Sequence, residues 1–239
     1  MKEKIKNNIV AIILARRGSK GLLNKNIALL DGKPLISYSI ECAKQSKYID
    51  RIIVSTDDHK IQEVANKYGA ETPFLRPKMY SGDSATSETA LRHAVEWLST
   101  YENYSADIVV YLQITDLFRT VEMIDLCVEA LINDHSIDSA FMGLIMHKNI
   151  WRKIGQKYMQ LADDIPYGLP RQEKEPLYRE DPGIALATRK EVVLSGRRIG
   201  ENCKIVPYEQ DVDFIDIHTE FDLWLSEVLI TKRGIKPNN

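Results

Sequence analysis

Short runs of β-branched and other apolar residues alternate along the chain with segments whose apolar positions recur every three or four residues. Ile9–Ala15, Arg51–Thr56 and Asp107–Gln113 are short and largely apolar, which predicts strands buried on both faces. Between them Pro34–Ser46, Asp58–Tyr68 and Ser87–Leu98 read as helices. In the last of these Leu91, Ala94, Val95 and Leu98 follow an i, i+3, i+4, i+7 pattern and share one face. The alternation predicts an α/β fold, a Rossmann-like, mostly parallel sheet flanked by helices.

From about residue 146 to residue 182 the pattern blurs, as Pro166, Pro170, Pro176 and Pro182 interrupt a polar stretch carrying Trp151, Tyr158 and Tyr167. This reads as an excursion from the sheet. Regular signals return at Gly183–Thr188, Lys204–Pro207 and Val212–Ile217, and Thr219 with Asp222 has capping-box spacing ahead of a final helix. One domain over residues 1–239, with an inserted arm at about 146–182, is expected.

Composition narrows the function classes. The 239 residues are 44% hydrophobic, enough for a sizeable core, and the net charge of −2 gives no global attraction for nucleic acid or an anionic membrane. Cys42, Cys127 and Cys203 are odd in number, far apart and form no CxxC, which argues against a disulfide framework and a thiolate metal site. The opening MKEKIKNN leads into only seven apolar residues followed by arginines, too short for a signal segment or a spanning helix. A cytoplasmic protein is expected.

Candidate chemistry begins where the first strand ends. Ile9–Ala15 gives way to Arg16, Arg17, Lys20 and Lys25, with Gly18, Gly21, Ser19 and Asn26 among them. In a mostly parallel sheet ligands bind beyond the carboxyl ends of the strands, where glycines allow close backbone approach and cations attract phosphates. Neither GxxxxGK[ST] nor GxGxxG is present. A solvated basic turn and a triphosphate site both fit the composition of this loop taken alone.

ILARRGSKGLLNKNI resembles the signature of the acylneuraminate-type cytidylyltransferases, A-R-x-G-S-K-G followed after three residues by K-N. The resemblance continues through DGKPLISYSI, RIIVSTDD, VANKYGAETPFLRP, GDSATSETALRHAVEWL, LQITDLFRT, LPRQ and DFIDIHTEFDL, and covers nearly the whole chain. It implies transfer of CMP from CTP to the anomeric hydroxyl of a 2-keto-3-deoxy sugar acid, with release of pyrophosphate and help from Mg²⁺ or Mn²⁺. It also implies a homodimer whose arm reaches over the partner.

Residue by residue, the resemblance implies that Arg16, Ser19, Lys20, Asn26, Arg76 and Ser87 bind the nucleotide, with Lys25 holding the triphosphate in a catalytic role. Gln113 and Gln172 are implied at the sugar acid, and Arg171 in the P-R-Q element as a catalytic or substrate-orienting arginine. Ser87 also fits the N-cap of the following helix, and Arg76 an ordinary surface residue before a proline.

Three departures stand out. LQITDLFRT replaces L-Q-P-T-S-P-L-R-T and introduces Asp116; DIH replaces D-I-D, keeping Asp216 but putting His218 at the second carboxylate; and Leu186 stands where N-acetylneuraminate enzymes carry an aromatic residue. The last change favours another acid of the legionaminate, pseudaminate or amino-Kdo type. Asp216 suits Mg²⁺, His218 suits a softer ion or a hydrogen bond to the ligand carboxylate, and Asp116 stands where it could restore the missing oxygen ligand. A sugar-1-phosphate nucleotidyltransferase and a non-catalytic nucleotide-binding relative are the competing readings.

Overall fold

A computed structural model describes residues 7–18, 21–161, 169–209, 215–234 and 237. In chain order the elements are β1 (Ile9–Ala15), β2 (Leu29–Leu30), β3 (Lys33–Pro34), α1 (Leu35–Gln45), β4 (Arg51–Thr56), α2 (His59–Lys67), α3 (Ser87–Glu102), β5 (Ile108–Leu112) and α4 (Val121–Asn133). There follow β6 (Ser139–Met146), β7 (Trp151–Ile154), β8 (Lys157–Gln160), β9 (Leu177–Glu180), β10 (Leu186–Arg189), α5 (Lys190–Leu194), β11 (Cys203–Tyr208) and α6 (Glu220–Arg233).

Among the described residues one seven-stranded sheet runs in the order β11-β6-β10-β5-β1-β4, with β9 also paired to β6. β1 lies parallel to β4 and β5, and β11 parallel to β6, whereas β10 runs antiparallel to both of its neighbours. The sheet is therefore mixed but mostly parallel. The reversal matters for the site: it brings the lead-in to β10 to the edge where β5 ends, and the Gln113 amide donates to the Gly183 carbonyl at 2.9 Å.

The period-two alternation of β1 divides the core. Ile9, Ala11, Ile13 and Ala15 face a cluster that includes Leu35, Ile36 and Ile40 of α1, Ile61 and Ala65 of α2, and Ile124, Val128 and Leu131 of α4. Val10 and Ile12 face the other way, onto Leu91, Ala94, Val95 and Leu98 of α3 and Val193 of α5. The apolar stripe expected on Ser87–Leu98 is thus the buried face of α3.

Caps fix where the helices start. Asp58 accepts from the amides of Lys60 and Ile61 at α2, and Thr219 and Asp222 form the expected capping box at α6. At α3 the cap is Thr86, whose side chain accepts from the Thr89 amide, so Ser87 is the first helical residue and not the N-cap. Of the strand expected at Val212–Ile217, residues 212–214 lie outside the described residues; Asp216 forms an isolated antiparallel bridge with Asp116. The expected excursion contains the hairpin β7–β8, which among the described residues pairs only with itself, with Trp151, Ile154, Tyr158 and Met159 exposed. Pro166 and Tyr167 lie outside the described residues. No described helix is long and apolar enough to cross a membrane.

Candidate active site

A cavity of about 530 Å³ opens at the edge where β1 and β5 end, bordered by Arg16, Lys25, Asn26, Arg76, Tyr80, Ser87, Gln113 and His218 among others. It gathers the basic loop, the start of α3, the end of β5 and the segment before α6. Ser19 and Lys20 lie outside the described residues.

The loop after β1 is fastened at several points. Gly18 has φ of 88°, in the left-handed region where a side chain would be strained. Gly21 packs so tightly on the segment before α6 that a Cβ would stand 2.3 Å from the His218 carbonyl oxygen. The Lys25 ammonium donates to the Ile217 carbonyl at 3.0 Å. Asn26 is buried and donates through Nδ2 to the Arg16 carbonyl at 2.9 Å, closing the loop on itself. Arg16 pairs with Asp83 at 3.0 Å. Burial lowers the pKa of Lys25, while the carboxylates of Asp216 and Asp116 draw it back up.

Arg76 is not a surface residue. It is 4% exposed, and its Nε donates to Ser81 Oγ at 3.1 Å. Its two terminal nitrogens carry no hydrogen bond to a described residue while the side chain borders the cavity. A buried guanidinium with free donors facing an open volume is suited to an anionic or carbonyl-bearing ligand. Ser87 Oγ lies 3.5 Å from the hydroxyl of Tyr111 on β5.

Gln113, directly after β5, has its backbone fixed from several directions. Arg119 is buried and donates from Nε to the Ile184 carbonyl at 2.7 Å and from its terminal nitrogens to Ser39 Oγ at 2.6 Å, to the Gly183 carbonyl at 2.9 Å and to the Gln113 carbonyl. Gly183 touches both departures and motif residues: a Cβ there would stand 2.3 Å from Asp116 Oδ2 and 2.8 Å from Gln113 Cδ. Burial pushes the Asp116 carboxyl up to about 6, against the pull of Arg119 and with the help of Asp216 and Asp181.

At the C-terminal side of the site His218 Nε2 lies 2.7 Å from Asp216 Oδ2, and Asp216 Oδ1 is buried without a hydrogen-bond partner among the described residues. Among those residues no group of three or more His, Cys, Asp or Glu side chains is arranged to hold a metal. One unpartnered carboxylate oxygen beside a second aspartate fits a hard divalent cation that draws its remaining ligands from substrate and water. Arg171 and Gln172 belong to a short turn, Arg171–Glu173; Gln172 is exposed and does not border the cavity. Nothing is described of the Arg171 side chain. Leu186 is fully buried in the sheet, opposite Tyr111, and does not border the cavity either.

Residues 10–151 match the family described as Cytidylyltransferase. A CMP-N,N'-diacetyllegionaminic acid synthase of Legionella pneumophila is 35% identical over 228 residues, spanning 93% of this chain and 96% of that protein. The chain belongs to the cytidylyltransferase family. A pseudaminic acid cytidylyltransferase of Campylobacter jejuni is 42% identical over 68% of this chain and 61% of its own length. In fold, the cytidylyltransferase matches a CMP:2-keto-3-deoxy-manno-octonic acid synthetase complexed with CTP, at a TM-score of 0.72 and 16% identity over 95% of this chain and 100% of that one.

Two structural contributors in this cytidylyltransferase escaped the sequence reading. Arg119 lies inside the motif LQITDLFRT, but a single arginine amid apolar residues carries no sign that it is buried. Gly183 follows Pro182 and read only as a strand start, whereas its missing Cβ is what lets Gln113 and Asp116 approach.

Proposed function

We propose that the protein transfers CMP from CTP to the anomeric hydroxyl of a 2-keto-3-deoxy sugar acid of the legionaminate or pseudaminate type. The hydroxyl oxygen forms a bond to the α-phosphorus, the bond from that phosphorus to the pyrophosphate oxygen breaks, and the hydroxyl proton leaves. The observation that supports this best is the meeting of Arg16, Lys25 and the buried Arg76 in one cavity at the carboxyl edge of the sheet. Such transfers depend on positioning and on stabilising charge at the phosphate oxygens.

In this reading Arg16, Ser19, Lys20 and Lys25 hold the triphosphate, and Arg76, Asn26 and Ser87 hold the nucleoside. Gln113 and Gln172 contact the sugar acid, and Arg171 orients its carboxylate or the reacting phosphate. Asp216, with Asp116 beside it and His218 orienting it, would hold Mg²⁺ or Mn²⁺, which offsets charge on the phosphates. The exposed apolar side chains of the β7–β8 hairpin support a homodimer in which this arm covers a partner. The unpaired cysteines, Cys42, Cys127 and Cys203, support a reducing, cytoplasmic setting.

Pyrophosphate release with CTP, Mg²⁺ and a panel of sugar acids, run beside sugar 1-phosphates, tests the reaction. Release with a nonulosonic acid alone is expected. Release only with a sugar 1-phosphate, or CTP binding with no release on any acid, would replace this reading by one of its competitors.

A further inference from the structure

The cavity has an aromatic wall that phosphate binding does not use. Tyr80 ends a short turn, Lys78–Tyr80, and borders the cavity beside Arg76, Ser81 and Ala85. Away from the cavity its ring rests on His93, with centroids 4.9 Å apart and planes tilted by 39°. His93 meets Phe74 edge-on at 5.0 Å, and Phe74 packs on Trp97, also at 5.0 Å. His93 and Trp97 are one turn apart on α3, the helix whose Ser87 and Ala90 border the same cavity. The row of four rings is therefore braced on a helix whose other face lies in the core.

His93 Nδ1 is buried without a hydrogen-bond partner among the described residues, so on that side the imidazole serves by packing. A phenol ring braced from behind and set next to a buried guanidinium with free donors offers a flat face as well as a charge. It suits a flat group that has a π-face to stack and a carbonyl to accept from the arginine.

We propose that Tyr80 is the stacking platform for the pyrimidine ring of the nucleotide and that His93 is the positioning residue that holds it. This rests on the reading that CTP occupies the cavity, and it adds a base-binding contact that none of the motif residues supplies. Tyrosine is suited to the task because a rigid ring with two side-chain torsions loses little entropy on binding. Bases stacked on aromatic side chains commonly lose roughly 5- to 150-fold in affinity when the ring is removed.

The test is calorimetric titration with CTP and with inorganic tripolyphosphate, in Mg²⁺ and without sugar acid so that nothing turns over. Tyr80→Ala should weaken CTP by roughly 5- to 150-fold and leave tripolyphosphate unchanged, while Tyr80→Phe keeps the affinity for both. His93→Ala should weaken CTP by a smaller factor, with His93→Phe restoring it. CTP affinity unchanged in Tyr80→Ala, or an equal loss for both ligands, overturns the platform while leaving the nucleotide cavity in place. A folded wild-type protein that binds no CTP overturns the cavity reading and the platform with it.

Discussion

The Lys25 ammonium donates to the carbonyl oxygen of Ile217 at 3.0 Å, joining the loop after the first strand to a residue 192 positions further along. The same cation borders the cavity, so it is held in place by one contact and free to serve a ligand with its remaining donors. Lys25→Ala should lower pyrophosphate release by about 100-fold or more, as expected when a donor to developing negative charge is lost. Its thermal midpoint should change little. Unchanged turnover in the folded variant would remove Lys25 from the reaction, and Arg16→Ala is a parallel test for the other side of the loop.

Gly21→Ala should destabilise the protein by roughly 1–3 kcal/mol, the usual cost of overpacking. The added Cβ would meet the backbone oxygen of His218 at 2.3 Å, and a backbone atom cannot rotate away as a side chain can. Urea unfolding measures the loss. Gly18→Ala, where no described residue would lie within 4 Å of the added Cβ but φ is 88°, should cost a smaller amount from backbone strain.

Arg119→Met should cost roughly 3–5 kcal/mol. It removes donors from three carbonyls, those of Gln113, Gly183 and Ile184, in a setting where water cannot replace them. Denaturant unfolding of wild type and variant reads the difference. A loss below about 1 kcal/mol would mean that those carbonyls find other donors.

Asp216→Ala should abolish metal-dependent turnover and weaken Mn²⁺ binding followed by electron paramagnetic resonance. His218→Asp should raise the affinity for Mg²⁺, because it replaces an imidazole with a hard oxygen ligand. If Asp216→Ala binds Mn²⁺ as wild type does, the ion is held elsewhere.

Asp116 gives stability a pH dependence in EDTA. Its carboxyl is pushed up to about 6 in the folded protein, so between its ordinary value near 4 and about 6 the folded state binds more protons than the unfolded one. Stability should fall by roughly 2–3 kcal/mol as pH rises through that window, then stay level with respect to this group. Asp116→Asn should flatten the profile. A wild-type profile already flat between pH 4 and 6 would show that Asp116 titrates normally.

The parts of the fold written in continuous apolar runs were legible: the expected strands Ile9–Ala15 and Arg51–Thr56 are the observed β1 and β4, residue for residue. Strand direction was not. Hydrophobic pattern says that a strand is buried but not which way it runs, so the reversal of β10 and the meeting of Gly183 with Gln113 came only with the structure. The basic loop announced itself because its cations and glycines are concentrated in one stretch. Tyr80 and the rings behind it left no such mark, since Phe74, Tyr80, His93 and Trp97 are scattered over a loop, a turn and a helix and meet only in three dimensions.

The fastening of the basic loop to residues 217 and 218 also sets an order in time. During synthesis the strand and its cations leave the ribosome early, but the carbonyls of Ile217 and His218 against which they lodge come some 190 residues later. Until that stretch is made, the loop lacks its latch.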